Sequence, residues 1–344
     1  LQYWLKIGDD DQGQGYIASV NKYLEKDLNE DELDILIDIL SLCVDSGWYG
    51  TGFKMVNNIS KVFKSLKGKE NEDTLIVLSY MAILLDKENN TDEAEKIYRE
   101  IIEIEKLYSK GQDNENIFDT LNLLGLCLIN QDKHQEAERV LKEFLSGRIW
   151  IDGIDDSRVF TSLNNLSLAL SGQRKYDESE LIIREALEGR IKLDGPDSPK
   201  TYTCMLNLAI SLERQNKNFE ETEELYSKVV MGRKIILGDN HPRYLHSLKL
   251  LCLFLDNNER YQEAVPYMRE LYKLREKKLG LNHDDTINSL NSLGYVLSQL
   301  NKYEESEKFY LQALERYEEV FGTNHKKTHI VTSNLAYLYI NNEE

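Results

Sequence analysis

Apolar positions in this chain recur three and four residues apart. Ile287, Leu290, Leu293, Gly294 and Leu297 share one helical face, and Ser306, Phe309, Tyr310, Ala313 and Leu314 share another on the segment that follows. Neither sustained period-two alternation nor an Asn-Gly hairpin signal occurs, so the pattern predicts an all-α fold without strands. A ring-bearing residue, Tyr303, stands between the two segments and marks the turn that folds one helix back on the other.

The same pair of segments returns along nearly the whole chain. Small residues stand at Gly52, Ala94, Ala137, Ser179, Thr222, Ala264 and Ser306, spaced by 42 or 43 residues. A second ladder, twelve or thirteen residues upstream, holds Ala82, Gly125, Ser167, Ala209, Cys252, Gly294 and Ala336, with Leu40 the bulky exception. Small side chains where two helices cross let their axes approach to about 8–10 Å, so each unit reads as a helical hairpin. Between the ladders lie Tyr49, His134, Tyr176, Phe219, Tyr261 and Tyr303, with Thr91 the one member without a ring. One hairpin cannot cover its own apolar face, so stability must come from stacked neighbours.

The small–large pattern and the helix-turn-helix period resemble the tetratricopeptide repeat, and the longer unit resembles the repeats of kinesin light chain. That subfamily carries a loop of the form L-G-x-x-H-P-x-T before each hairpin. Here the loop reads LGDNHPRY from Leu237, LGLNHDDT from Leu279 and FGTNHKKT from Phe321, with LDGPDSPKT from Leu193. The segment EALEGR, ending at Arg190, is similar to its A-L-E-x-R stretch. The resemblance implies a right-handed superhelical solenoid whose first helices line the concave surface.

The expected organisation is a single solenoid over 1–344, a fragment of a larger chain. A leading helical segment over 1–30 (Ile17, Val20, Leu24) precedes repeats near 33–72, 75–116, 118–158, 160–200, 202–242, 245–284 and 287–326, and 329–344 begins an incomplete last repeat. Length alone would suggest two or three domains at about 150 residues each. With only 4 Pro and 19 Gly, few linkers are available to separate them.

Charge narrows the partners. Lys+Arg 42 against Asp+Glu 60 gives a net charge of −18, which repels phosphate backbones and anionic lipid, so neither nucleic acid nor membrane is an expected partner. The longest apolar run, Leu75 to Leu85, is interrupted by Ser79 and is too short to span a bilayer. The acidic clusters Asp9-Asp10-Asp11 and Glu30-Asp31-Glu32 read as solvated faces. Cys43, Cys127, Cys204 and Cys252 lie far apart with no CxxC pair, which fits a reducing, cytoplasmic setting.

Several strings invite a chemical reading and are better explained by the repeat. His241, His283 and His325 are translated from one unit to the next, so they cannot converge on one ion, and they are expected in turn packing and helix starts. GQGYIA (13–18) and Gly50-Thr51-Gly52 follow no apolar strand that would aim them at a pyrophosphate. Asp9, Asp11 and Gly13 hint at a calcium loop, but Val20 stands where its closing acid belongs. No G-x-S-x-G, H-E-x-x-H or P-loop string occurs, so an enzyme, a metal and a cofactor are not expected.

Two ladders remain as candidate sites. Asn122, Asn164 and Asn291 share one first-helix position, which Lys249 takes in another unit, and Asn165, Asn207 and Asn334 occupy the next position. Amides on a concave face could grip the backbone of an extended peptide, and inter-repeat hydrogen bonding explains them equally well. Arg148, Arg190, Arg233 and Arg275 occupy one second-helix position, three of them preceded by glycine (Gly147, Gly189, Gly232). A structural role near the helix C-terminus is preferred for these arginines over a row of anion grips. Leu126, Leu168, Ile210, Leu253, Tyr295 and Tyr337 follow the small first-helix position, where chaperone-tail-binding relatives carry asparagine. Tyr295 and Tyr337 are thus candidate aromatic anchors, and Trp4, Trp48 and Trp150 are assigned to core. The expected function is a non-enzymatic, adaptor-like scaffold for a protein or extended peptide. The alternative is a protein-sensing domain of a larger defence or signalling protein.

Overall fold

Left-handed corners and glycine stops divide the chain into hairpins. The structure, a computed structural model, describes residues 20–24, 28–46, 48–108, 115–152 and 157–342. A helical turn at 20–23 is followed by α1 (Glu30–Ser46), α2 (Tyr49–Leu66), α3 (Glu72–Lys87), α4 (Thr91–Tyr108), α5 (Glu115–Asn130), α6 (His134–Asp152), α7 (Ser157–Gly172) and α8 (Tyr176–Asp194). Then come α9 (Pro199–Gln215), α10 (Phe219–Leu237), α11 (Pro242–Asn257), α12 (Tyr261–Leu279), α13 (Asp284–Gln299), α14 (Tyr303–Phe321) and α15 (Lys326–Asn342). The described residues contain no strand. The residues expected between the ladders, Thr91 included, are each the first residue of a second helix.

The corner inside each hairpin is made by the backbone. Asn89, Asp132, Arg174, Asn216, Glu259 and Asn301 all have φ between 52 and 63°. The amide after each bonds back five residues, as in Asn90 N to the Leu85 carbonyl at 2.9 Å and Lys302 N to the Leu297 carbonyl at 3.0 Å, closing the last turn of the first helix. Second helices from α8 onward stop differently. Gly195, Gly238, Gly280 and Gly322 sit at φ of 79 to 86°, which a side chain would resist. His241 and His283 then start α11 and α13 by accepting the amides of Arg243 and Asp285 on Nδ1, each at 3.1 Å, and His325 accepts that of Lys327 at 3.3 Å.

The chain divides into two compact units, Leu1–Ala186 and Leu187–Glu344. In the first, α1 to α3 bury Leu36, Leu40, Met55, Ile59 and Phe63 completely. A Cβ on Gly52 would stand 3.0 Å from Cys43 Cβ and from Leu84 Cδ2, so the small residue lets α1 and α3 close on α2. In the second unit, α9 to α13 close over Tyr226, Tyr244, Leu248 and Leu293, and α13 to α15 over Ile287, Leu290 and Tyr310. The two small ladders touch. Ser179 Oγ donates to the Ser167 carbonyl at 2.7 Å and Ser306 Oγ to the Gly294 carbonyl at 2.6 Å, both between buried helices.

Within the first unit α1 lies against α3, α3 against α5 and α5 against α7, and in the second α13 lies against α15, whereas second helices, among the described residues, approach one another less closely. First helices therefore form the tighter side of the first unit, and in the second this closeness is confined to α13 and α15. Second helices are linked instead by ion pairs between successive hairpins, including Lys133–Glu95 at 2.6 Å, Arg99–Glu136 at 2.7 Å and Lys175–Glu138 at 2.8 Å in the first unit. Lys234–Glu270 at 2.5 Å and Arg260–Glu223 at 2.5 Å do the same in the second. Exposed pairs of this kind contribute about 0–1 kcal/mol each.

Candidate functional site

The asparagine ladder is internally paired. Asn165 Nδ2 donates to Asn122 Oδ1 at 3.1 Å and Asn334 Nδ2 to Asn291 Oδ1 at 3.0 Å, each bond joining neighbouring first helices. Asn164 and Asn165 are buried, and Asn164 Nδ2 reaches Asn165 Oδ1 at 3.4 Å. Asn122, Asn207, Lys249, Asn291 and Asn334 are half-buried at the first-helix surface. In the half-buried pair, Asn334 keeps its acceptor and Asn291 its donors. The ladder thus ties repeats together, and at Asn291 and Asn334 it also leaves polar edges on the first-helix face.

Beside it runs an apolar row. Leu126, Leu168 and Ile210 are half-buried, but Leu253 is 40% exposed, Tyr295 40% and Tyr337 61%. Tyr295 is steadied edge-on by Tyr261 with ring centroids 6.4 Å apart, whereas Tyr337 projects from α15. Between α9 and α11 the second unit opens a pocket of about 720 Å³. Its walls include Ile210, Leu250, Tyr226, Arg214, His246 and Glu213, and Glu213 accepts the Tyr226 hydroxyl at 2.6 Å.

The arginine ladder points inward. Arg190, Arg233 and Arg275 are 2%, 4% and 7% exposed. Arg190 holds Asp194 at 2.8 Å, while Arg275 donates to the Asp285 carbonyl at 3.1 Å and to Ser289 Oγ at 2.8 Å. Arg233 donates to the Arg243 carbonyl at 3.2 Å and to Thr203 Oγ1 at 3.4 Å. Burial, reinforced by the charge of Arg243, pushes the Arg233 pKa down to about 10, and burial also lowers that of Arg275. The Arg148 and Trp150 side chains lie outside the described residues, as do Trp4, Asp9, Asp11, Ile17 and residues 13–18.

The glycines before the arginines have a packing cause. A Cβ on Gly232 would stand 2.0 Å from Cζ of Tyr202, and one on Gly147 would stand 2.0 Å from Cε1 of Phe118. The second helix is therefore hollowed to seat a ring from the first helix of its own hairpin. Gly50 and Gly52 lie within α2, and the three loop histidines serve separate helix starts. Among the described residues no group of three His, Cys, Asp or Glu gathers as metal ligands would, and no helix is long and apolar enough to cross a membrane.

One buried acid escaped the sequence reading. Glu105 on α4 is 4% exposed, its Oε2 has no hydrogen-bond partner among the described residues, and burial pushes its pKa up to about 7. Thr120 bonds the carboxyl and works against this rise, while the charge of Asp119 adds to it. A glutamate within a charged helix carries no mark of burial. Only its register, one repeat before Gly147, could have flagged a position that packs inward.

Comparison with known proteins identifies the repeat. The family described as tetratricopeptide repeat matches residues 159–200, 201–243 and 250–319. No curated protein matches the sequence significantly. Among solved structures, a signal transduction ATPase (STAND) protein with a tetratricopeptide repeat sensor from Pyrococcus horikoshii superposes with a TM-score of 0.66 at 14% identity. The match covers 98% of this chain and 50% of that one. A Rap protein complexed with competence and sporulation factor gives a TM-score of 0.58 at 12% identity, covering 96% and 93%. A Podosopora anserina protein described as kinesin light chain, with nearly identical TPR-like repeats, gives 0.54 at 18% identity, covering 59% and 96%. At these identities the likeness is one of fold. The small ladders, the glycine-histidine loops, the paired helices and these matches converge: the chain carries tetratricopeptide repeats, matched over 159–243 and 250–319, in a fold it shares with solved structures of such repeats.

Proposed function

We propose that the first-helix face of the second unit binds an extended segment of a partner protein or peptide, as a non-enzymatic, adaptor-like scaffold acting in the cytoplasm. The observation that carries this is the row Leu253, Tyr295 and Tyr337, exposed at the same register in successive first helices beside the amides of Asn207, Asn291 and Asn334. Solvent-exposed rings at fixed intervals supply anchors, and neighbouring amides supply donors and acceptors for a peptide backbone. Because the helices already hold these groups, binding costs the receptor little ordering entropy. The structural likeness to a Rap protein complexed with competence and sporulation factor supports the same use of the fold.

The test is selection of displayed decapeptides on the immobilised chain, with affinities then measured on the protein and on the double variant Tyr295→Ala, Tyr337→Ala. Losing two aromatic anchors is expected to weaken binding by about 30-fold or more, with unchanged melting. Equal affinity for both proteins overturns the assignment of this face.

A second reading is favoured by the alignment of 98% of this chain with half of a STAND protein that carries a repeat sensor. In it the array senses a folded protein on behalf of an ATPase or protease domain elsewhere in the parent chain. A P-loop or a His/Cys dyad in the parent sequence supports the sensor, whereas heptads support the adaptor.

A further inference from the structure

The charge at the start of the first helices changes sign within the second unit. Lys200, Arg243, Asp285 and Lys327 stand at one register, 42 or 43 residues apart. Asp285 sits beside the buried Arg275, its Oδ1 3.6 Å from the guanidinium and its carbonyl accepting Nη1 at 3.1 Å. One hairpin earlier Arg233 makes the equivalent bond to a backbone carbonyl, but the residue that owns it is Arg243. The position that supplies Arg275 with a carboxylate thus supplies Arg233 with a second guanidinium. The other bond of Arg233 goes to the neutral Thr203, and no acid among the described residues pairs with it.

The same helix carries more positive charge on its open side. Arg243, His246 and Lys249 are three residues apart on α11, on one side of the helix. Lys249 occupies the register that Asn122, Asn164 and Asn291 hold elsewhere. The charged groups acting on His246 are Arg233 and Lys249, both cationic. Glu213 lines the pocket beside His246, but its oxygens accept the Tyr226 hydroxyl at 2.6 Å and Asn257 Nδ2 at 3.4 Å. Four like-charged or chargeable groups gathered in a chain of net charge −18 repel one another unless an anion joins them.

We propose that Arg243, His246 and Lys249, lying above the buried Arg233, form a subsite for the carboxylate of an acidic residue in the peptide held on the first-helix face. This deepens the peptide-binding reading above and rests on it. Arg243 is exposed and Lys249 half-buried, so both can reach a side chain on the surface, while Arg233 adds a fixed positive field from below. The pocket walls Ile210 and Leu250 would take the apolar residue next to the acid.

Pentaglutamate, pentaglutamine and a phosphoserine pentapeptide are the probes, titrated calorimetrically into the full chain. The imidazole resonance of His246, assigned with His246→Gln, reports where they bind. The variants Arg243→Asp and Lys249→Asn install what neighbouring hairpins already carry at these registers, so both are expected to fold, and melting curves check this. The expected result is pentaglutamate binding at least about tenfold tighter than pentaglutamine, a shift at His246, and loss of the preference in Arg243→Asp and in Lys249→Asn. Pentaglutamine bound as tightly, with no effect of either variant, overturns the carboxylate subsite and leaves the peptide face standing. Absence of binding by every probe, together with failure of the decapeptide selection, overturns both. A preference for phosphoserine over glutamate of more than about tenfold overturns the carboxylate assignment in favour of phosphate.

Discussion

Glu105 couples the stability of the first unit to pH. Its carboxyl is buried between α4 and α5, with Thr120 as its bonded partner and Oε2 without one among the described residues. Burial raises its pKa from 4.5 to about 7 in the folded chain. Between those values the folded state holds a proton that the unfolded state has released, so the contribution of this carboxyl to stability is fully present below pH 4.5 and is lost as pH rises through 7. The difference of about 2.5 units corresponds to about 3 kcal/mol at 1.36 kcal/mol per unit. Glu105→Gln keeps the shape and an acceptor for Thr120 but removes the ionisation.

The variant should therefore match the parent at pH 4.5 and exceed it by up to about 3 kcal/mol at pH 8. Repeat arrays need not unfold in one step, so the assay is amide hydrogen exchange of peptides from α4 and α5, compared between the two proteins at each pH. A constant difference across the range, or a Gln variant less protected at pH 8, refutes the argument that a buried charge is being relieved.

Two further changes test the packing. Gly232→Ala places a methyl group 2.0 Å from the Tyr202 ring and should cost about 1–3 kcal/mol, seen as lost protection in α9 and α10, even though alanine favours a helix. Arg275→Ala removes bonds to the Asp285 carbonyl and Ser289 from a site 7% exposed and should lower the melting temperature, with a loss of about 1–3 kcal/mol. Unchanged melting would return that arginine to the ligand-binding column.

Much of the architecture could be read from spacing. The small ladders mark helix crossings because a crossing tolerates little volume, and Ser306 meets Gly294 there. The rings between ladders mark helix starts because they fill the corner, and even Thr91 keeps the place. What spacing withheld was the partner of each side chain. Asn122 and Asn291 suit a ligand or a neighbour equally by register, and the fold has them taking the amides of Asn165 and Asn334. The sign reversal at Arg243 was written in the register too, but it acquires meaning only once Arg233 is seen beneath it. Glu105 was hidden because a carboxylate in a helix of alternating charge is normally solvated.

Each hairpin corner is bent by its main chain. Asn, Asp, Arg and Glu all occupy the left-handed position there, and in every case the same backbone bond holds the bend. Since main-chain atoms do the bending, the side chain at each corner is at liberty to be acidic, basic or neutral. In each unit, therefore, the corners are keys on which electrostatic identity can be rewritten note by note while the instrument stays in tune.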